Sequence, residues 1–556
     1  NASNDTHTRL LRNRIQSAKS TATRDLHIAI VVNVLTIFFF LVLLFSLGIS
    51  SLDSFNSGFM VVNGTASCKQ DLGAAVFYSR LKELTLIDEA AGVNRTLPGI
   101  TPGKSLEEMI LEKAKSFENA FNFLFLHSKM SAEVEALWSS NSVSMKFYLP
   151  GNNLSDIKSG KYNIIKMPLW DAGFAMLNSI RDNAHITSLA ELGNAPHLRT
   201  QTAFRIILDN PQITTGLDAL GVLHASLLSQ DTTTMIMRIC VVFPFIVAVA
   251  FVFQLVRIVI IRRLFKERSA AVKLFNNIPK STLVNVADRL CSGKERDLME
   301  EVIAHKSISA VWKVELTVFS TVLILLALSA GIFSLFLTFA QNNTNAGKLI
   351  NAVGKQRNYA ETLRFWCQEL VVQDESARPF SGILAYIGTT LTGFAAADKL
   401  VKYGNESQGL PSIVLDPRFY DIIFERPCPE EYDLGNCKGA GQYFAIFTNL
   451  ATVLSKSHRS ILSLENPNYV KLVTIQEGLA RRWLLEMVNT VFAKVIEGST
   501  SVGTSATIVF VISIPIIIFG WVVATMQITK MSTEVQRMVR MLLCVPLNVL
   551  ETTSNV

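Results

Sequence analysis

The chain has 556 residues, 49% of them hydrophobic and only 17% charged, and its mean hydropathy is +0.32. That balance is more apolar than a soluble globular protein, and Gly (29), Pro (16) and Cys (7) are too ordinary in number for a collagen, a disordered chain or a small disulfide scaffold. The 52 basic and 45 acidic residues leave a net charge of +7, so where the basic residues sit matters more than their excess.

The pattern predicts an all-α membrane protein with four transmembrane helices in two tandem repeats. Each repeat consists of a span, an outer helical bundle, a span and a cytoplasmic helix ending at Pro. Residues 1–27 carry Arg9, Arg12, Arg14, Lys19 and Arg24 against Asp5 and Asp25 and read as a cytoplasmic segment. The first span, 28–49, is long enough to cross a hydrocarbon core and lacks a small-residue cleavage site, so it stays in the chain. An outer helical domain follows over 50–238, then a second span over 239–261. The linker 262–315 begins Arg262-Arg263 and holds eleven Lys/Arg against six acids over 262–313, which places it in the cytoplasm. A third span covers 316–339, a second outer domain 340–505, a fourth span 506–526, and a cytoplasmic segment 527–556. No span has an acidic residue in its interior; spans two and four each carry a proline, Pro244 and Pro515, that frees a backbone carbonyl and permits a kink.

Two further signals agree with this orientation. Glycosylation sequons fall in the outer segments at Asn63, Asn94, Asn153 and Asn405, and at Asn342 close to the bilayer. Four cysteines, Cys68, Cys367, Cys428 and Cys437, also lie there, in an oxidising compartment. The short loop between Cys428 and Cys437 favours their pairing. The similar distances of Cys68 and Cys367 beyond spans one and three favour a bridge joining the two outer domains, although sequence leaves all three pairings open.

The duplication reaches individual residues. A shift of 267 aligns Glu267 with Glu534 (534 − 267), Lys273 with Arg540, Pro279 with Pro546 and Leu283 with Leu550. In each copy apolar residues at helical spacing precede a β-branched residue and proline, so the helix leaving the membrane stops there. These residues are either a plain interfacial helix or a stalk that passes motion of spans two and four inward, with Glu267, Pro279, Glu534 and Pro546 transmitting the signal. Within the outer segments Ser105 and Glu108 form a predicted capping box. Leu106, Ile110, Ala114, Phe117, Phe121 and Leu124 then follow at steps of three and four. Leu472, Ile475, Leu479, Trp483, Met487 and Val491 mark another helix leading to span four. The run Pro98 to Ser105 imitates a phosphate loop but lacks its first glycine and reads as a helix start. No metalloprotease, paired Cys-x-x-Cys, serine-elbow or dinucleotide pattern occurs, so neither an enzyme nor a cofactor is expected within these residues.

The segment Ile350-Asn351-Ala-Val-Gly354-Lys-Gln356-Arg357-Asn-Tyr-Ala-Glu-Thr-Leu363 resembles the motif just outside the first membrane helix of bacterial nitrate-sensor kinases and pilus-type chemotaxis transducers. It departs from that pattern at Asn358 and Ala360. The resemblance implies that Arg357 contacts an anionic ligand, that Gly354 permits close helix approach, and that Asn351 and Gln356 supply polar contacts. A guanidinium suits the task because it presents a planar fork of donors to an oxyanion. The first outer domain lacks the motif, and Arg80 is a weak substitute there. On a larger scale the layout is similar to the multi-span amino-terminal region of protist membrane sensors, the tiny-macrocyst-like PAS proteins and receptor-type adenylate or guanylate cyclases.

The expectation is therefore a sensory or receptor module that passes extracellular ligand binding through helix motion to a cytoplasmic output domain beyond Val556. An oligomeric channel or transporter and a structural or adhesion glycoprotein are the alternatives. Expected partners are membrane lipid, a small extracellular ligand that the resemblance implies is anionic, and further copies of the chain, with no nucleic acid. The expected location is the plasma membrane, with both termini cytoplasmic.

Overall fold

The computed structural model describes the chain except residues 1, 94–96, 101–102, 129–130, 149–161, 189–211, 280, 283–307, 375–378, 406–411, 413–415, 433 and 545–556. The described residues are overwhelmingly helical. Helix α1 spans Ala2–Ala90, followed by α2 (Leu106–His127) and α3 (Ala132–Ser139). Strands β1 (Val143–Tyr148) and β2 (Tyr162–Met167) come next, then α4 (Leu169–His185) and α5 (Gln212–Asn277). The second half contains α6 (Ile308–Asn343), α7 (Ala346–Val372), α8 (Phe380–Tyr403), α9 (Gly439–Lys456), α10 (Pro467–Ile475) and α11 (Arg481–Cys544). A π turn, Gln476–Ala480, joins α10 to α11.

The all-α expectation needs one correction. Strands β1 and β2 form an antiparallel pair in which Val143 faces Met167 and Tyr148 faces Tyr162. Val143, Met145 and Phe147 alternate with Ser144 and Lys146, the period-2 pattern of a half-buried strand, and Val143 and Met145 are buried.

Among the described residues five helical stretches are long and apolar enough to cross a membrane: Arg24–Ala90, Gln212–Ile260, Leu316–Val372, Phe380–Tyr403 and Pro467–Lys530. Four contain the expected spans. The fifth is α8, whose peak mean hydropathy is 1.3 against 2.5 to 3.0 for the others. The chain divides into two compact units. The apolar unit holds residues 1–50, 235–339 and 501–556, and the larger unit holds 51–234 and 340–500.

In the apolar unit the core is built by all four long helices. Leu26, Ile30 and Ile37 of α1 pack with Ala250 of α5, Val318, Val322 and Leu325 of α6, and Ile517, Ala524 and Ile528 of α11. Gly48 lets Phe336 approach, since a Cβ there would lie 2.2 Å from its ring, and the rings of Phe45 and Phe510 stack at 4.5 Å. Leu35, Phe39, Val241, Phe245, Phe251, Leu323 and Phe519 are exposed. An outward-facing apolar girdle of this kind fits an integral membrane protein.

The larger unit takes both connections, 51–234 and 340–500, into one body. Helix α2 carries the predicted capping box: Ser105 Oγ accepts from the Glu108 amide at 3.1 Å and Glu108 accepts from the Ser105 amide at 2.9 Å. Its apolar face is buried as spaced, with Ile110, Ala114, Phe117, Phe121 and Leu124 inside. Helix α8 also belongs to this unit, and Ile383, Ile387, Phe394 and Val401 bury one of its faces. Helix α5 ends at Asn277, two residues before Pro279, as proline's exclusion of the helical conformation before it requires. Glu267 and Glu534 lie in α5 and α11, their side chains outside the described set; Pro546, Asn94 and Asn153 lie outside the described residues.

The cysteine expectation is met in one pair and corrected in the other. Cys428 and Cys437 are bridged. Cys68 and Cys367 are free, buried thiols, each pushed well above the ordinary thiol range by burial. Similar distance from two spans does not aim two side chains at one another, and each thiol is instead enclosed as a small apolar group.

Candidate functional site

The site is built on the packing of α1 against α7 within the larger unit. Contacts along this pair keep a nearly constant sequence separation, 287 for Gln70–Arg357 and 289 for Arg80–Glu369, so the helices run parallel. On α1 the contacting residues are Ala66, Gln70, Gly73, Phe77 and Arg80; on α7 they are Gly354, Arg357, Glu361, Arg364 and Glu369. Steps of three and four from Ala66 to Arg80 and from Gly354 to Arg364 keep these residues on one helix face, and Glu369, five residues further on, is reached by the long Arg80 side chain. A Cβ on Gly354 would stand 2.5 Å from that of Ala66, and one on Gly73 would stand 3.3 Å from that of Glu361. These two glycines allow the close approach.

The seam is strongly charged, and one end is closed. Arg80, fully buried, donates from Nε to Glu369 at 2.7 Å, from Nη1 to Glu83 at 2.7 Å and from Nη2 to Asp374 at 3.2 Å. Arg364 lies 3.7 Å over the Phe77 ring and pairs with Glu361 at 2.8 Å and with Glu477. Burial alone would lower both guanidinium pKa values; Glu369 and Glu83 around Arg80, and Glu361 and Glu477 around Arg364, outweigh it and raise them. Burial would raise the Glu477 carboxyl, but Arg364 and Arg481 hold it below its ordinary value.

The other end is open. Arg357 donates to the Gln70 side-chain oxygen and has no carboxylate in hydrogen-bond contact among the described residues; its Nε is buried without a partner. It is 5% exposed, and burial lowers its pKa to about 10. It lines a cavity of about 480 Å³ whose wall includes Gln70, Asp71, Lys113, Arg481, Arg482 and Leu485. Asp71 is already held by Ser116 Oγ at 2.6 Å and Lys113 at 3.4 Å, and Glu477, also in the wall, by Arg364 and by Tyr78 Oη at 2.8 Å. Four cations against two committed carboxylates leave a positive cavity with a buried, partly unsatisfied guanidinium. Such a site attracts an anion and offers it charge-assisted hydrogen bonds.

The backbone at the site is irregular where it lines the cavity. The π turn Gln476–Ala480 carries Glu477 and Gly478, and a Cβ on Gly478 would lie 1.8 Å from the Tyr432 hydroxyl, so a larger residue there would displace the tyrosine ring.

The four expected ligand residues separate. Arg357 lines the cavity, and Gly354 sets the helix spacing one turn away. Gln356 instead donates to Asp398 of α8 at 2.9 Å, and Asn351 faces Gly221 of α5. Neither lines the cavity, because residues one and six positions from Arg357 lie on other sides of a helix with 3.6 residues per turn. Arg80 is sealed by carboxylates rather than standing in for Arg357. Of the expected glycan acceptors, Asn63 lies inside α1, half-buried with its amide oxygen enclosed, and Asn405 lies two residues beyond the end of α8. Lys113, Asp71, Arg481 and Arg482 were missed from sequence. The signal present was local: Glu477 and Arg481, four residues apart on a predicted helix and paired at 3.6 Å. No family model, curated protein or solved structure matches the chain.

Proposed function

We propose that the chain is a transmembrane sensory module in which a small anion enters the Arg357 cleft and shifts the α1–α7 pair between two arrangements. The observation that carries this reading is the buried Arg357, hydrogen-bonded among the described residues to the Gln70 amide oxygen alone, at the wall of a cavity that also presents Lys113, Arg481 and Arg482. In the proposed topology four of the five apolar helices cross the bilayer with both termini cytoplasmic. Helix α8 stays in the larger unit, supported there by its Asp398 carboxylate, which accepts from Gln356 and Lys402. Helices α1 and α11 each contribute both to the cavity and to the apolar core, so movement at the site is movement of continuous helices. The ligand does work only through its difference in affinity for the two arrangements.

Purified full chain in nanodiscs, screened with nitrate, acetate and phosphate, tests the site. The expected result is a higher unfolding temperature with at least one anion, lost in Arg357→Gln. A flat response to all three, or a response equal in the variant, would overturn the assignment.

A further inference from the structure

The α1–α7 seam shows the internal repeat extending through the larger unit. A shift of 288 (351 − 63) sets Asn63 on Asn351, Ala66 on Gly354, Lys69 on Arg357, Phe77 on Phe365 and Tyr78 on Trp366. In α5 and α11 the shift is 267, the same as in the basic segments. The stacked Phe45–Phe510 pair has its counterpart in Phe243 and Phe333, stacked at 4.6 Å. The Phe59–Phe492 contact has its counterpart in Gly347 against Ala225. Under these two shifts Lys69 corresponds to Arg357, Tyr359 to Asp71, and Asp218 to Leu485.

Lys69 is accordingly the cation of the first half, and its surroundings differ from those of Arg357 above all in holding a directly paired carboxylate. Its side chain is fully buried and its Nζ pairs with Asp218, a carboxylate whose side chain is 40% exposed. Tyr359 stands beside this pair, its hydroxyl pKa raised by burial and then by Asp218, and its ring fills the space left by Gly393. In the second half Leu485, which has no charge to offer, takes the place of Asp218, and the cavity beside Arg357 is open.

We propose that Lys69 marks a second anion pocket, the repeat counterpart of the Arg357 cleft, which the chain closes with its own Asp218 carboxylate. This rests on reading the Arg357 cleft as an anion site, and it deepens that reading. Where the repeat satisfies itself it uses a carboxylate, so the group that completes the Arg357 cleft is a carboxylate carried by a small ligand. One tethered anion and one exchangeable anion then occupy equivalent places in the two halves.

Exchanging the two residues tests this on the full chain, with sodium acetate as probe at constant ionic strength and sites counted by calorimetry. Wild type is expected to bind acetate at one site and Asp218→Leu at two. Leu485→Asp is expected to bind none, its new carboxylate pairing with Arg357, and the double exchange one, lost again on adding Lys69→Met. Wild type binding none would sink the Arg357 reading alone, because Asp218→Leu would still be expected to gain a Lys69-dependent site. Failure of Asp218→Leu to gain such a site overturns the second pocket. If that variant does not fold, acetate-dependent recovery of Asp218→Asn supports the pocket, and unfolding that acetate leaves unchanged overturns it.

Discussion

The two ends of the α1–α7 seam carry the same kind of residue to opposite effect. At one end Arg80 and Arg364 are wrapped by carboxylates from their own and neighbouring helices. At the other, Arg357 is also buried but meets an amide and a cavity. A buried charge surrounded by partners fixes a structure; a buried charge left short of them waits for one from outside. The difference separates a fully ion-paired strut from an open, positively lined cleft along a single pair of helices.

The sharpest way to break the contrast is Arg80→Met, which abandons three carboxylates at the closed end. Loss of one member of a buried pair costs about 3–5 kcal/mol, and urea unfolding should show a drop of that order. Gly354→Val presses on the spacing shared by both ends. Crowding at the Ala66 contact should cost about 1–3 kcal/mol, and Ala66→Gly in the same chain should restore most of it. A chain in which that pair of changes is simply additive would show that the two residues do not define the approach. Arg357→Met should act in the opposite direction to Arg80→Met. Without anion it should unfold at an equal or higher temperature, a gain of roughly 1 kcal/mol, because it removes a buried charge whose desolvation outweighs the attraction of Asp71 and Glu361; a clear loss would mean that Arg357 is structural.

The smallest effect near neutral pH is expected at His224, which is buried with Nε2 3.1 Å from Ser128 Oγ. Burial lowers its pKa from 6.5 to about 4, so the fold favours the neutral ring. The corresponding stability is present above pH 6.5 and is lost as pH falls from 6.5 through 4. His224→Gln should flatten that part of the stability profile, measured by unfolding at pH 7, 5.5 and 4.5; superimposable profiles would remove the residue from the acid response.

Much of the architecture was legible because it depends on local pattern. The apolar runs announce the long helices, and Ser105, Glu108 and the spacing from Leu106 to Leu124 announce α2. The hairpin was lost because its alternation is short and stands among helices. Arg357 was legible through a motif, but the other cavity residues come from α1, α2, the π turn and α11, which are distant from it in sequence and meet it only in the folded unit. Asn351 and Gln356 were misjudged because a linear motif does not say which side of a helix each member occupies. The thiol pairing failed for the same reason.

The π turn between α10 and α11 has a mechanical consequence. It accommodates one residue more than an α-helical turn, and each residue in an α-helix advances about 100° around the axis. Release of that extra residue would rotate Arg481, Arg482 and Leu485 by about this angle relative to Tyr469 and Leu472, with little change in helix length. The cavity wall is thus mounted on a segment whose geometry allows it to turn like a key, and an anion bound as proposed would hold the key in one position.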